Sequence, residues 1–428
     1  MSKPPPPGSV SAPPPAPGRQ MWPLYAAGFT TAFGAHGIAA NLGGFTDDAV
    51  TSLLVLGALL ALYDGAEVVL KPLFGTLADR IGARPVLLGG LVAFALAFAL
   101  ASALYAIAGS PGWLWAARLG QGAAASAFSP SALVARLNPA ARHGRAFGGY
   151  GFYKSIGYTL GPLLGGVLVW AGGLRLLFVV LAVLAAAVAV WAAITVPAVP
   201  PLPRARQTVV DLARRVSDPV FLGPTAALAA ATAALSVGVG FLPVTGADAG
   251  LGTVATGAAV SVLAACAAFV QPRTGRALDA GRLTSRTGLT AGLLVTAAGL
   301  GCATLPGLVG LLTAATLIGV GTGLITPLGF AALAKSTPAD RLGQTMGTAE
   351  LGRELGDAGG PLIVGAVAAL ATLAFGYAAL AVLIAAGTLI TLARNRAPAR
   401  LPDPAADAGL QDHSQPSVTG PPEPTPPA

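Results

Sequence analysis

Long apolar runs, separated by short segments that hold most of the charged residues, dominate the pattern along the chain. Most runs reach about twenty residues, the length at which an α-helix crosses about 30 Å of hydrocarbon. The alternating segments of roughly ten residues that indicate membrane β-barrel strands do not occur. The pattern predicts twelve transmembrane helices, at 23–45, 50–74, 85–108, 112–136, 145–170, 174–196, 221–243, 253–272, 286–305, 307–334, 344–372 and 376–393.

Composition places these helices in a membrane. Of the 428 residues, 54% are hydrophobic and only 10% are charged, and the mean hydropathy is +0.72. Soluble globular chains have about a quarter charged residues. We therefore predict an all-α integral membrane protein.

Polar, proline-rich segments divide the chain. We predict a disordered N-terminal tail and a disordered C-terminal tail, because both ends combine many prolines with no apolar core. A basic connector separates two bundles of six helices each. The predicted divisions are the tail 1–20, the first bundle 21–198, the connector 199–219, the second bundle 220–395 and the tail 396–428.

The distribution of Lys and Arg predicts the orientation. Twenty of the 25 basic residues fall in segments on the same side as the termini, and one, Arg175, falls on the other. The positive-inside rule then makes both termini cytoplasmic. The net charge of +8 is explained as an insertion signal rather than as a nucleic-acid surface. High Ala, Gly, Pro and Arg contents indicate a GC-rich bacterial gene, and hence the inner membrane.

Nine charged residues fall inside predicted spans. A charge within the bilayer costs at least about 2.5–3.5 kcal/mol, so each must face a partner or an aqueous cavity. We predict that they form a proton-coupling ion-pair network: Asp64, Glu67, Lys71, Arg118, Lys154, Glu350, Arg353, Glu354 and Asp357.

Two members of this set leave alternatives open. Asp64 lies nearer mid-membrane than Glu67 and Lys71, so it is the better candidate proton carrier, whereas those two residues can simply neutralise each other. Lys154 can bind an anionic group, pair with a carboxylate or alternate between them, and it can also snorkel to the cytoplasmic surface.

An internal repeat relates the two halves. At an offset of 200 residues, Pro72, Gly75 and Asp79 align with Pro272, Gly275 and Asp279. At an offset of 199, a second set aligns: Gly144, Gly148, Lys154, Gly157, Gly161 and Pro162 with Gly343, Gly347, Arg353, Gly356, Gly360 and Pro361. Such repeats are typical of transporters built from a duplicated unit.

A glycine ladder marks the fifth span. Gly157, Gly161 and Gly165 share one helical face, where small residues let another helix approach closely. Pro162 lacks a backbone donor and is expected to bend the helix, and Gly166 extends the small surface. We predict an interface on which the halves rock, and static packing is the alternative.

Three motifs carry a family resemblance. "GTLADRIGARPVLL", with Gly75, Asp79, Arg80, Gly82 and Arg84, resembles the loop between the second and third helices of the major facilitator superfamily. A weaker copy, "GRALDAGR", contains Gly275 and Asp279. "RLGQG" at 118–122 resembles the superfamily's fourth-helix motif, and "GYTLGPLLGG" at 157–166 resembles the fifth-helix motif of its drug/proton antiporters.

The resemblance implies two pseudo-symmetric six-helix bundles and several roles. Asp79 would contact the start of the eleventh helix and latch the cytoplasmic side, and a solvated loop with orienting arginines is the alternative. Arg118 would act on a protonated carboxylate, or would only anchor its helix. The second and eleventh helices would lie side by side, so their charges would form a switchable network or a set of static salt bridges.

No enzyme is predicted, because the sequence has no Walker loop, no nucleophile beside a histidine and no metal-ligand spacing. The resemblance implies an exporter of a small amphiphilic or drug-like molecule in exchange for protons, working as a monomer with no cofactor and no nucleic-acid partner. A sugar or metabolite transporter and a transport-inactive sensor are the alternatives. The first span has no carboxylate, and His36 is its only residue whose ordinary pKa lies near neutral pH, so the proton site stays open.

Overall fold

The computed structural model describes residues 18–39, 49–107, 112–127, 130–199 and 218–396, and all regular secondary structure in these ranges is helical. Two short 3₁₀ helices, Ala140–Arg142 and Ala339–Arg341, precede the longer helices α6 and α11. The α-helices are α1 (Gly18–Ala39), α2 (Ala49–Ile81), α3 (Ala83–Ile107), α4 (Gly112–Ala127), α5 (Ser131–Arg136), α6 (His143–Thr195), α7 (Pro219–Asp248), α8 (Thr253–Asp279), α9 (Ser285–Cys302), α10 (Gly307–Ser336), α11 (Leu342–Leu370) and α12 (Leu373–Arg396).

These helices are consistent with the twelve predicted spans. The fourth span contains α4 and α5, with Pro130 at the N-terminal end of α5. The fifth and sixth spans are the two arms of α6, which meet where Gly172 and Gly173 leave helical geometry. Gly173 has φ +68°, a conformation that a residue with a Cβ rarely adopts. This break lies at the predicted boundary between the fifth and sixth spans, and Pro162 keeps helical dihedrals, so the bend expected at this proline stays a prediction.

Five stretches of the described helices are long and apolar enough to cross a membrane by length and composition alone. They are Ala83–Leu104, Ala140–Thr195, Val220–Asp248, Ala255–Asp279 and Gly307–Ser336. Helix α1 begins at Gly18, inside the predicted N-terminal tail. Most of both tails and of the connector (1–17, 200–217 and 397–428) lies outside the described residues.

The helices pack in two groups within the compact unit that ends at Thr388. In the first group α6 packs against α1 and α3, and α4 packs against α2 and α3. In the second group α7 packs against α10 and α11, and α10 also packs against α8 and α9. The groups meet mainly where α2 contacts α11 and where α6 contacts α8. These two contacts are equivalent in the internal repeat.

Glycines allow both contacts between the groups. A Cβ on Gly75 of α2 would lie 2.5 Å from the carbonyl oxygen of Gly343 on α11. A Cβ on Gly275 of α8 would collide in the same way with the carbonyl oxygen of Gly144 on α6. Backbones that approach this closely leave no room for a side chain, which is why small residues are required there.

The glycine ladder of α6 packs elsewhere than predicted. Gly157 lies against Phe29 and Gly161 against Gly37, so this face contacts α1 inside the first group. The prediction of an interface between halves was therefore wrong for these glycines. Helical periodicity shows that a face is small, but it does not tell which neighbour that face meets.

The two segments that resemble the cytoplasmic loop of the superfamily, which we predicted to gate that side, are also mostly helical. Gly75, Asp79 and Arg80 lie in the last turns of α2, Arg84 lies in α3, and Gly275 and Asp279 lie in α8. Only Gly82 (φ +104°) turns the chain between α2 and α3. The helix continues past the apolar run because its last turns pack against α11, and periodicity in hydropathy alone does not report such contacts.

The packing of α6 on α1 predicts that Gly157→Ala lowers stability. The added Cβ would lie 2.6 Å from the carbonyl oxygen of Phe29, so one helix must shift, at a cost of about 1–3 kcal/mol. Gly89→Ala in α3 is the matched control, because a Cβ there meets nothing within 4 Å. Unfolding of the purified variants in detergent should show a loss for Gly157→Ala and no loss for Gly89→Ala. Equal stability of the two variants would contradict this packing.

Candidate functional site

Two aspartates, of which Asp79 is buried and Asp279 is partly buried, join the groups at one end of the bundle. Asp79 accepts hydrogen bonds from the backbone N–H groups of Gly343 and Gln344, both at 2.7 Å, and it pairs with Arg136 at 2.9 Å. Its exposed fraction is 1%. The carboxylate thus satisfies free donors at the start of α11 and meets the positive end of that helix dipole. We call this contact the Asp79 latch.

The repeat places a second latch at the equivalent position. Asp279 at the end of α8 accepts from the backbone N–H groups of Gly144 and Arg145, at 2.9 and 2.8 Å. These donors begin α6. Because both aspartates cap a helix of the opposite group, the Asp79 latch and the Asp279 latch hold the two groups together at the same end.

Lys71 forms the first buried ion-pair cluster. Its Nζ lies 2.6 Å from Glu67 Oε2 on the same helix and 2.5 Å from Glu354 Oε1 on α11. Both Glu67 and Lys71 are buried. One ammonium group therefore joins two carboxylates, and the second of these contacts crosses between the groups.

Glu350 forms the second cluster. Its Oε2 accepts from Lys154 Nζ on α6 at 3.3 Å and from Arg353 Nη1 at 3.2 Å. Lys154 is buried and paired rather than extended towards the end of the bundle. The other oxygen, Glu350 Oε1, is buried and has no hydrogen-bond partner among the described residues. This cluster also crosses between the groups, because Lys154 and Glu350 belong to different ones.

The pair equivalent to Lys71 and Glu354 in the repeat is uncharged. Lys71 aligns with Gln271 at the offset of 200, and Glu354 aligns with Ser155 at the offset of 199. Gln271 Nε2 donates to Ser155 Oγ at 2.7 Å, so the aligned residues meet in both places. The same position in the interface is therefore ionic between α2 and α11 and neutral between α8 and α6.

Two cavities lie beside these clusters. The non-atom space in and around cavity A is about 530 Å³, and that of cavity B is about 420 Å³, with open solvent included in both. Tyr150, Lys154 and Tyr158, spaced four residues apart on α6, line both cavities. Cavity A is also lined by Thr31, Ala32, Ala35, His36, Tyr63, Glu67, Lys71, Ala125, Pro130, Glu350, Glu354 and Asp357. Cavity B is also lined by Gly151, Ser155, Ala231, Thr232, Leu235, Ala267, Gln271, Thr322, Thr326, Phe330 and Arg353.

The structure thus brings together six of the nine predicted charges in the two clusters, and a seventh, Asp357, lines cavity A. Arg118 is buried on α4, with its guanidinium 4.5 Å from the centre of the Tyr63 ring and its Nη1 3.4 Å from Gln121 Oε1. Asp64 belongs to α2, and its side chain lies outside the described residues. Its predicted part in proton transfer stays a prediction.

Sequence reasoning missed the polar and aromatic lining of the cavities. Tyr150 and Tyr158 share a face of α6 with Lys154, a spacing that could have identified them once Lys154 was singled out. Gln271 could have been found from the repeat, as the residue aligned with Lys71. Arg136 was counted only as an orienting charge, because its contact with Asp79 depends on the packing of α5.

The Lys71 cluster predicts a large and specific effect of removing its cation. Lys71→Met would leave Glu67 and Glu354 buried without their shared partner, which typically costs about 3–5 kcal/mol. Adding Glu67→Gln and Glu354→Gln to this variant should restore most of the loss, because the uncompensated charge is gone. Lys335→Met, at an exposed lysine of α10, is the control and should change stability by about 0.5 kcal/mol or less. Denaturation of the purified proteins measures all three, and Lys71→Met no less stable than Lys335→Met would contradict a buried triad.

Comparison with known proteins agrees with this fold. The family model described as Major Facilitator Superfamily matches residues 24–287 and 280–422. The chain is 33% identical over 116 residues to the class H tetracycline resistance protein of Pasteurella multocida, which is 26% of this chain and 27% of that protein. It is 30% identical over 143 residues to the inner membrane transport protein YajR of Escherichia coli K12, covering 32% and 30% of the two chains. Each of these alignments thus spans about a third or less of the relative's length.

Solved structures align with a much larger share of this chain than these relatives do. The human organic anion transporter MFSD10 gives a TM-score of 0.73 at 18% identity, covering 87% of this chain and 99% of that one. The fucose:proton symporter FucP of E. coli gives 0.71 at 14% identity, covering 87% and 98%. At such identities these likenesses concern the fold. The chain therefore belongs to the Major Facilitator Superfamily, as a multi-pass membrane transporter and not an enzyme.

Proposed function

We propose that this transporter exports a small amphiphilic molecule in exchange for protons by alternating access. The observation that carries the proposal is the placement of Lys71 between two buried carboxylates of opposite groups. If Glu354 takes a proton, the attraction between α2 and α11 weakens while Lys71 keeps Glu67 as its partner. Proton binding can thus loosen the interface without leaving a buried cation unpaired, which would be costly.

The two latches define the state of the described chain. Both hold the same end of the bundle closed, and this end carries the Arg-rich turns that the positive-inside rule assigns to the cytoplasm. We infer a conformation that is closed on the cytoplasmic side, with both termini in the cytoplasm and the protein in a bacterial inner membrane. The connector 199–219 then joins two six-helix bundles that move as units, and a monomer is sufficient for the cycle.

The cavities favour a small organic substrate. Both combine aromatic and polar lining residues, as small-molecule sites typically do. Relatives named as tetracycline and methylenomycin A resistance proteins support export of drug-like compounds. The likeness to FucP, a fucose:proton symporter, supports the second candidate, a metabolite transporter that moves solute and proton together.

Transport in inverted membrane vesicles tests the proposal. With the vesicle interior acidified, an exported compound should release protons from the vesicles as it enters them. We expect release for at least one member of a panel of cationic, neutral and anionic amphiphiles, and a loss of about tenfold or more in Glu354→Gln. Asp248→Asn, at an exposed end of α7, is the matched control and should transport normally.

Three results would contradict parts of this proposal. Solute movement in the same direction as the proton would establish the symporter instead. Full proton coupling in Glu354→Gln would exclude the Lys71 cluster from the coupling step. No transport across the panel, with the protein present in the membrane, would contradict drug export.

The latches predict a change in access at the cytoplasmic side. Asp79→Asn removes the charge that holds the start of α11, so the closed state should become less populated. In a Cys266→Ala, Cys302→Ala background, a cysteine placed by Thr345→Cys reports this opening, since Thr345 is buried beside the latch. We expect maleimide labelling about tenfold faster in Asp79→Asn.

Asp218→Asn provides the control for this labelling experiment. Asp218 also caps a helix, accepting from Val220 N at 2.9 Å, but it is exposed and caps its own helix, α7. Labelling should therefore be unchanged in Asp218→Asn. Equal labelling rates in Asp79→Asn and the parent would show that the Asp79 latch does not hold the closed state.

A further inference from the structure

We propose that cavity A binds the protonated amino group of the substrate, with Glu350 and Asp357 as its acceptors. The proposal deepens the proposed function and rests on it, because it names the chemical class that the exporter would carry: an aromatic or apolar amine that is cationic at neutral pH.

The lining charges of cavity A favour a cation. Four carboxylates face it, together with two lysines: Glu67, Glu350, Glu354 and Asp357 with Lys71 and Lys154. Cavity B shows the opposite balance, because its lining includes Lys154 and Arg353 and none of these carboxylates. The two cavities are therefore not equivalent, and a positively charged group is favoured only in cavity A.

An unsatisfied acceptor points to a donor in the ligand. Glu350 is 2% exposed and lines cavity A, and within the described part of the chain its Oε1 has no hydrogen-bond partner while Oε2 binds both Lys154 and Arg353. A buried carboxylate oxygen without a donor is costly, and such groups are rare unless a ligand or water completes them. An ammonium N–H supplies a charged donor, which forms a stronger hydrogen bond than a neutral one.

Asp357 supplies the second acceptor. It lies two helical turns after Glu350 on the same face of α11. Among the described residues it forms no ion pair within 4 Å, unlike Glu67, Glu350 and Glu354. Its charged neighbours are Glu354, Arg353 and Lys71. Asp357 is thus the carboxylate of cavity A that is available to a new cation.

The rest of the lining suits the apolar part of such a molecule. Tyr63, Tyr150 and Tyr158 present aromatic rings, and Ala32, Ala35 and Ala125 present small apolar surfaces. Cations interact favourably with aromatic faces, as Lys154 already does with Tyr158, at 6.0 Å from the ring centre. An arylalkylamine would therefore place its ammonium group at Glu350 and Asp357 and its ring among the tyrosines.

This arrangement also makes amine and proton compete. A proton on Asp357 removes the charge that an ammonium group needs, and a bound ammonium group disfavours that proton. Mutually exclusive binding of this kind is what an exchange of amine for proton requires. Three charged neighbours of Asp357, Glu354 and Arg353 on α11 and Lys71 on α2, modulate the competition.

Three probes with the same ring separate the charge of the ligand from its apolar part. They are 2-(1-naphthyl)ethylamine, 2-(1-naphthyl)ethanol and 1-naphthylacetate, titrated by calorimetry into the full-length protein in detergent near neutral pH, where the amine is protonated. We expect the amine to bind at least about tenfold more tightly than either other probe. Amine binding should also weaken as the pH is lowered, because a proton on Asp357 competes with the ammonium group.

Asp357→Asn should weaken amine binding by about tenfold or more and change alcohol binding by less than about threefold. Asp357→Glu keeps a carboxylate at this position, so it should retain amine binding and thereby separate a lost charge from a disturbed helix. Asp248→Asn should behave as the parent. Size-exclusion profiles and unfolding temperatures confirm that each variant is folded.

Equal binding of the three probes, tighter binding of the acetate, or unchanged amine binding in a folded Asp357→Asn would overturn the amine site. These outcomes are separable from failure of the proposed function. Proton-driven export of a neutral compound without amine binding would leave the proposed function standing and refute the amine site. Amine binding to a protein that shows no proton-coupled transport would support the amine site and contradict the proposed function.

Discussion

The burial of Lys71 between carboxylates of two helix groups is the interaction on which the account depends. Charges in a low-dielectric interior are tolerated only when they are paired, and here the pairs are shared: one lysine serves two glutamates, and Glu350 serves two cations. A shared partner allows one contact to break while the other persists. Removing one charge from the network should therefore cost much free energy, whereas exchanging one contact for another should cost little. An interface that moves requires this combination.

The repeat explains where this network lies. Duplication places α2 against α11 and α6 against α8 in equivalent ways, and in both contacts paired glycines and a capping aspartate survive. Between these features the halves have diverged. Lys71 and Glu354 form a salt bridge where Gln271 and Ser155 form a neutral hydrogen bond. Under the proposed function a proton would weaken this salt bridge, whereas the hydrogen bond between Gln271 and Ser155 offers no carboxylate to protonate.

Much of the fold was predictable from the sequence. The length of the apolar runs, and the Gly and Pro residues that separate them, indicate transmembrane helices directly. The described helices are consistent with all twelve predicted spans, and the membership in the superfamily inferred from three motifs is confirmed by the family model. What depends on packing was not predictable. The helical state of Gly75 and Asp79 follows from contact with α11, and the neighbour of Gly157 follows from the position of α1.

In the candidate site, too, some features were predictable from the sequence and others depended on packing. The cost of charge in a membrane singled out Glu67, Lys71, Lys154 and Glu350 from sequence, but which of them pair required the fold. The cost of charge in a membrane gave no reason to single out the uncharged residues Tyr150, Tyr158 and Gln271. The side chain of Asp64 lies outside the described residues, and its part in proton transfer stays a prediction.

The most direct test of the central claim is the distance between the two groups as a function of pH. Spin labels at Arg142→Cys and Arg282→Cys, two exposed positions at the latched end, report that distance by double electron–electron resonance in the Cys266→Ala, Cys302→Ala background. The account predicts that acidification shifts the population towards longer distances, and that Glu354→Gln shows the longer distances at every pH. A distance distribution that is independent of pH in the parent and unchanged in Glu354→Gln would contradict it.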